Sequence, residues 1–507
     1  MSVTSQGSQG SQGSQGSQGS QGSQGSQRVP RPVREHVEAR AWWGLVLASA
    51  TAMVVGMAVT AVNVVFPAIE TEFEGASRTG LSWGITGYSI ALASLMLLGG
   101  RLADRVGRRR IFVLGVGVFC VASMLLALAP AAWVFVAARL GQAVGAAMAS
   151  PSSLSLVLEQ FPSSRRPSAI ATWTGLGTMG AAIGPSFSAI VSEQFGWRWV
   201  FVVPLVATVA SLVLSTRVLP EGRPSAAPVG RLDLLGTLLG TLGVAMVAAL
   251  ITEGPHLGIT SPFVIACIIG AVVFLPWFVH RSLVHPEPML DLRLMRAPNM
   301  TAVNLVNVGF TAAGTASWLL YPLFMVQHWD YSLMRAGFAL TPFPIASAIV
   351  GFFAGRMAER FGTRRVIVYG AMLPAVAMVW QSIRLEEHPN YLTGILPGAL
   401  LFNIGWGIVY APTMALALRG VAERQMGQAS AMLSSLRYLG GGLGVATVIS
   451  IVGNADIIPI DAYHRALRAV AVMAFLSGMV ILVKLRVPPE VRTGRMTTVT
   501  AVSAPDA

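Results

Sequence analysis

Apolar runs of roughly 18 to 28 residues recur along almost the whole chain, separated by short polar stretches where arginine, glycine and proline gather. Fourteen such runs lie near 42–66, 81–100, 111–129, 131–158, 168–192, 200–216, 234–252, 262–280, 299–327, 337–355, 366–383, 392–418, 428–453 and 467–485. A helix needs about 20 apolar residues to cross about 30 Å of hydrocarbon. Alternating ten-residue β-barrel segments are absent, and inside lipid each backbone amide must be satisfied within its own segment or a closed barrel. The pattern therefore predicts an all-α integral membrane protein with fourteen transmembrane helices.

Composition agrees, since 54% of the 507 residues are hydrophobic and 11% charged, against about 25% charged in a soluble domain. The net charge of +13 does not point to nucleic acid, because of where it sits. With a cytoplasmic N-terminus, 27 of the 35 Lys and Arg fall in cytoplasmic segments, 6 in external ones and 2 inside spans. That bias obeys the positive-inside rule and predicts an even number of spans with both termini cytoplasmic. The two cysteines, Cys120 and Cys267, lie within spans and read as small buried hydrophobes. No spacing suggests a disulfide, a metal or a cofactor. The first apolar run follows about forty polar residues and is too long for a cleavable signal, so it is expected to remain as an anchor.

Residues 5–27 repeat Ser-Gln-Gly without an apolar side chain, and 1–40 is expected to be a disordered cytoplasmic tail, as is 487–507. A longer-range repeat organises the rest. Gly100-Arg101-Leu102-Ala103-Asp104-Arg105-Val106-Gly107-Arg108-Arg109-Arg110 returns as Gly355-Arg356-Met357-Ala358-Glu359-Arg360-Phe361-Gly362-Thr363-Arg364-Arg365, an offset of 255. Each copy joins the second and third spans of a six-span unit, which predicts bundles over 41–217 and 299–486 linked by 218–298 with two extra spans. Repeated halves around a central path are how secondary transporters alternate access.

The Gly100–Arg110 loop matches the Gly-x-x-x-Asp-Arg-x-Gly-Arg-Arg signature at its fixed positions and resembles the major facilitator superfamily. The two extra spans resemble its fourteen-helix drug:proton antiporter branch, and the likeness covers about residues 42–485. It implies a conformational latch built from Gly100, Asp104, Arg105, Gly107 and Arg108, with Gly355, Glu359 and Arg360 as the second copy. Gly100 and Gly107 would permit a tight turn, Asp104 would meet a helix N-terminus, and Arg105 and Arg108 would pair with carboxylates across the gap between halves. The alternative is generic positive-inside charge.

Three further segments extend the resemblance. Arg139-Leu140-Gly141-Gln142-Ala143-Val144-Gly145 is similar to an Arg-x-x-Gln-Gly-x-Gly segment whose arginine the family links to proton transfer; a structural arginine facing backbone carbonyls is the alternative. Gly175, Gly177, Gly180, Gly184 and Pro185 are close to the exporters' glycine-proline motif, though such glycines also serve plain helix packing. In span 1, Thr60-Ala61-Val62-Asn63-Val64-Val65-Phe66-Pro67 resembles the branch, but Ala58 stands where its aspartate belongs. Alanine cannot carry a proton, and no Asp or Glu lies deep in any span. Proton coupling is left with Arg139, Glu159, Asp104 and Glu193 as candidates. A cavity without carboxylates offers a cation nothing, which turns the expectation toward neutral, zwitterionic, lipid-like or anionic cargo drawn by Arg139 or Arg437.

Asn63, Gln142, Asn304, Asn307, Asn403, Trp406, Tyr410 and Arg437 are the remaining candidates to line a cavity. Phe402, Trp406 and Tyr410 share one helical face, either as a platform or as packing. Trp197-Arg198-Trp199 reads as an interfacial anchor. The leading expectation is a bacterial plasma-membrane exporter of amphipathic drugs or metabolites, proton-driven antiport being what the resemblance implies. A lipid or envelope-precursor transporter and a transport-inactive scaffold or sensor are the alternatives. No nucleotide loop, metal cluster or nucleophile constellation indicates an enzyme, and no feature calls for more than a monomer working on a small amphipathic substrate or lipid.

Overall fold

A computed structural model describes residues 39–162, 165–219, 233–419, 421, 425–455 and 457–486. Of the expected tails, 1–38 and 487–507 lie outside the described residues, while Ala39 and Arg40 already belong to the first helix. The chain forms α1 (Ala39–Glu72), α2 (Arg78–Val106), α3 (Arg108–Ala127), α4 (Ala132–Gln160), α5 (Arg166–Phe195), α6 (Trp199–Val218), α7 (Leu234–Leu257), α8 (Pro262–Val284), α9 (Met300–Gln327), α10 (Leu333–Leu340), α11 (Pro342–Phe361), α12 (Thr363–Arg384), α13 (Tyr391–Gly394), α14 (Leu396–Arg419), α15 (Met426–Val452) and α16 (Ile460–Lys484). Pro342 divides α10 from α11 within one crossing, and Ile395 divides α13 from α14 in another. Counted that way, thirteen crossings among the described residues are long and apolar enough for a membrane. The remaining helix, α5, has 30 residues and a sequence rich in glycine, serine and threonine. The layout is the fourteen-helix one expected.

Helix pairing repeats in the two parts of the chain. Helix α1 packs along α5 and α9 packs along α15, and both seams are made by glycine. A Cβ on Gly180 would lie 2.1 Å from the Met53 carbonyl oxygen, and one on Gly444 would lie 2.1 Å from that of Ala312. Backbones meet there because no side chain intervenes. Gly180→Ala or Gly444→Ala is expected to cost about 1–3 kcal/mol through overpacking. Gly175→Ala is the control, since a Cβ there meets nothing within 4 Å. Thermal unfolding of the detergent-purified variants checks the contrast.

The two extra helices sit differently. Helix α7 packs on α2 and α15, while α8 leans on α7 and presents Ile265, Ile269, Val272 and Trp277 outward, as a lipid-facing helix does. Asp233 ties them together. Its Oδ1 accepts from the Gly236 amide at 2.9 Å and from Arg281 Nε at 2.6 Å, and its Oδ2 accepts from the Met289 amide at 3.2 Å. Burial raises the Asp233 carboxyl, but Arg281 and the two amides outweigh it and hold the group below the usual carboxylate range. A depressed carboxylate stabilises above its unfolded pKa of about 3.9 and loses that contribution as pH falls through the folded value. Asp233→Asn is therefore expected to cost about 1–3 kcal/mol at pH 7. The gap to wild type should narrow in melting curves taken below about pH 4.

Trp197 corrects the anchor expectation. It is 4% exposed, packs edge-on to Phe73, Phe135 and Phe201, and donates to Glu72, which also pairs with Arg198. Trp199, half exposed, keeps the interfacial position.

Candidate functional site

The repeated loops fold alike. Gly107 (φ 116°) and Gly362 (φ 90°) each end one helix and begin the next, and their amides donate to the Ala103 and Ala358 carbonyls. Such positive φ explains glycine at both positions. Gly100 and Gly355 do not turn; both lie inside helices, with Gly100 merely against Pro151. Sequence reasoning mistook a shared motif for a shared task.

The charges of the first loop face their own half. Asp104 Oδ1 accepts from Arg108 Nε at 3.2 Å and Nη2 at 3.1 Å, and Arg108 Nη1 donates to Glu159 at 2.8 Å. Arg108 opens α3, so Asp104 does sit at a helix N-terminus. The expected pairing across the gap is not what Arg108 makes here. Arg105 is exposed, and Arg101 donates to the Glu287 and Pro288 carbonyls after α8. In the second copy Arg360 lies over the Phe361 ring, and the Glu359 side chain falls outside the described residues.

The opposite face is held shut between the early and late helices. Arg78 pairs with Glu70 at 2.5 Å and donates to the carbonyls of Gly453 and Ala455, while Asn454 accepts from the Thr79 amide at 3.0 Å. Helix α5 meets α10 closely, with Ser186 bonded to Thr341 and a Cβ on Gly337 placed 3.0 Å from the Pro185 carbonyl. Glu193 accepts from the Met334 amide at 2.6 Å, at the start of α10. Behind these contacts Phe66, Ile69, Leu320 and Phe324 form one apolar cluster. Sequence reading missed this clamp; its available signal was the charge of Glu70 and Arg78 flanking a short loop.

Between the two faces lie the interior arginines. Arg139 is fully buried: Nε donates to the Gly84 carbonyl at 2.9 Å, Nη1 to the Ala58 carbonyl at 3.2 Å and to Gln142 at 2.5 Å. Its guanidinium covers Tyr88 at 4.1 Å from the ring centre, and Nη2 has no hydrogen-bond partner. Gln142 in turn donates to Ser123 at 2.8 Å. The guanidinium thus bridges two backbone carbonyls, one of them that of Ala58, where the span-1 aspartate is replaced. Arg437 is half-buried, donates to the Tyr410 hydroxyl at 3.1 Å and lies 5.0 Å from the Tyr438 ring. Tyr410 stacks on Trp406 at 5.6 Å and 13°. Neither arginine is paired with a carboxylate among the described residues.

The asparagines do not converge on that cluster. Asn304 and Asn307 turn to the sulfurs of Met295 and Met414, and Asn403 bonds its own helix at Ala399. Asn63 is buried with its carbonyl oxygen unpartnered. Gly180 and Gly184 belong to the α1–α5 seam, where a Cβ on Gly184 would lie 2.3 Å from Thr60 Oγ1, and Pro185 reaches the α5–α10 crossing.

A family profile described as Major Facilitator Superfamily matches residues 48–445 and 303–500. The chain belongs to the Major Facilitator Superfamily. Within it, the chain is 34% identical over 422 residues, 82% of each chain, to the puromycin resistance protein pur8 of Streptomyces alboniger. It is 30% identical to the cephamycin export protein CmcT of Amycolatopsis lactamdurans, over 81% of this chain and 85% of that one. A solved auto-inhibited POT family peptide transporter shares the fold with TM-score 0.64 at 16% identity, covering 89% of this chain and 98% of its own. This superfamily member is thus a multi-pass membrane transporter of small molecules.

Proposed function

We propose that the chain is a secondary active exporter of amphipathic small molecules, working by alternating access in a bacterial plasma membrane with both termini cytoplasmic. Residues 41–217 and 299–486 act as the two rocking bundles, and 218–298 carries the two linking helices. The observation that carries this reading is the asymmetry between the faces. One face is clamped through Arg78, Asn454, Glu193 and the α5–α10 crossing, while Asp104, Arg108 and Glu159 on the arginine-rich face turn to one another.

On this reading the contacts at the Arg78 face close the external side, and the arginine-rich cytoplasmic face is the one free to open. Closing it brings the second bundle to the loop, where Asp104 and Arg108 exchange partners and latch the outward-open form. The relatives named for resistance and export support the outward direction of net transport. Coupling to protons has no route through Ala58, and the carboxylates left for it, Asp104, Glu159 and Glu193, lie at the two faces and are each engaged in the clamp or the latch.

Uptake of a panel of amphipathic compounds into everted vesicles tests the reading. Energised vesicles carrying the chain are expected to accumulate at least one compound above vesicles without it. No accumulation across a broad panel contradicts export. Dissipation of an imposed pH gradient by a transported compound tests proton coupling separately.

A further inference from the structure

The two interior arginines differ in access. Arg139 is fully buried among α1, α2 and α4, with Nε and Nη1 turned to carbonyls and Gln142. Arg437 is half-buried, and so are Tyr410, Trp406 and Tyr438 around it. Its neighbours are neutral: one hydroxyl at 3.1 Å and two tyrosine rings at 5.0 and 5.7 Å. The rings are neighbours of one another as well, with Trp406 stacked on Tyr410 and tilted against Phe310 at 6.1 Å. These side chains come from α9, α14 and α15, so the cluster belongs to the late helices, with Tyr438 packing toward Tyr88 and Leu92 of α2.

A guanidinium drawn from water without a carboxylate is an uncompensated charge, and low dielectric enlarges its attraction for an anion and its repulsion of a cation. Its planar fork of five N–H donors suits a carboxylate or sulfonate, which Tyr410 alone does not saturate. The stacked indole and phenol beside it offer ring edges and faces to a flat apolar group. We propose that Arg437, with Trp406, Tyr410 and Tyr438, forms a binding site for planar aromatic organic anions, so that the exporter carries aromatic acids in preference to cations. The assignment rests on the export reading for its meaning and on the site's geometry for its chemistry. Arg139 positions α1 and α2 and does not touch the cargo.

Three probes of one shape separate charge from bulk: 1-naphthoate, 1-naphthamide and 1-naphthylmethylammonium. Binding to the full-length purified chain is read by calorimetry. The site predicts naphthoate tighter than either other probe by about tenfold or more, the ratio that about 1.4 kcal/mol gives. Arg437→Gln should bring the three to similar affinities, and Trp406→Leu should weaken naphthoate while leaving hexanoate unchanged. Equal binding of the three by wild type, or an undiminished preference in Arg437→Gln, overturns the proposal. If Arg437→Gln does not elute as a folded species, Arg437→Lys decides: it should still favour naphthoate over the ammonium probe, with weaker binding, because lysine keeps the charge and loses the fork. Equal binding by that variant counts against the site. Everted vesicles distinguish the two levels, since transport of all three without preference refutes the anion site alone, whereas transport of none, nor of any panel compound, refutes export.

Discussion

Asp104→Asn lowers the export rate by about tenfold or more while leaving the thermal stability of the chain within about 1 kcal/mol of wild type. The two halves of that expectation come from one geometry. The Asp104 carboxylate is 43% exposed and its Arg108 partner 29% exposed, and ion pairs that open to solvent contribute about 0–1 kcal/mol. Losing the pair therefore hardly unsettles the fold seen here. The cost falls on the other state, where the same carboxylate joins the second bundle and biases the equilibrium between states. A shift of about 1.4 kcal/mol there changes the population about tenfold. Initial rates in everted vesicles, beside melting curves of the purified variant, check both halves, and unchanged transport would remove the latch.

Arg139 gives the reverse pattern. Arg139→Lys is expected to lower stability by about 2–4 kcal/mol and abolish most transport, because a lysine's donors radiate from a single nitrogen where the guanidinium reaches Gly84, Ala58 and Gln142 from two. The charge is preserved, so a purely electrostatic role would survive the change. Unfolding of purified protein, with transport measured at the same expression level, separates the two. A lysine variant as stable and active as wild type would show that the fork is dispensable.

Much of this was legible beforehand, for physical reasons. Hydrocarbon thickness fixes span length, so the fourteen helices could be read from apolar runs, and the repeat at an offset of 255 marked equivalent turns, which Gly107 and Gly362 make with the same positive φ. Arg139 and Arg437 were visible because charges in a membrane stand out against their surroundings. What the pattern could not show was direction. Gly100 has the turn residue's chemistry but a helical place, Arg108 finds its partners within its own half, and Asn403 turns back to its own helix. Those outcomes depend on how helices are rotated and on which face is closed. The clamp joins Arg78 to the Gly453 and Ala455 carbonyls, 375 and 377 positions away, and the Thr79 amide to Asn454, pairings local pattern does not encode.

The central claim is that the two faces open in alternation and that the Asp104 loop sets the balance. Spin labels placed at exposed positions in a background with Cys120 and Cys267 replaced test it most directly. One pair, at Arg105 and Arg364, reports the arginine-rich face; the other, at Glu74 and Ile457, reports the clamped face. The account predicts two distance populations for each pair, with the first pair shortening as the second lengthens, and with Asp104→Asn depleting the population in which the arginine-rich face is closed. Distances that lengthen and shorten together, or populations untouched by Asp104→Asn, would contradict it.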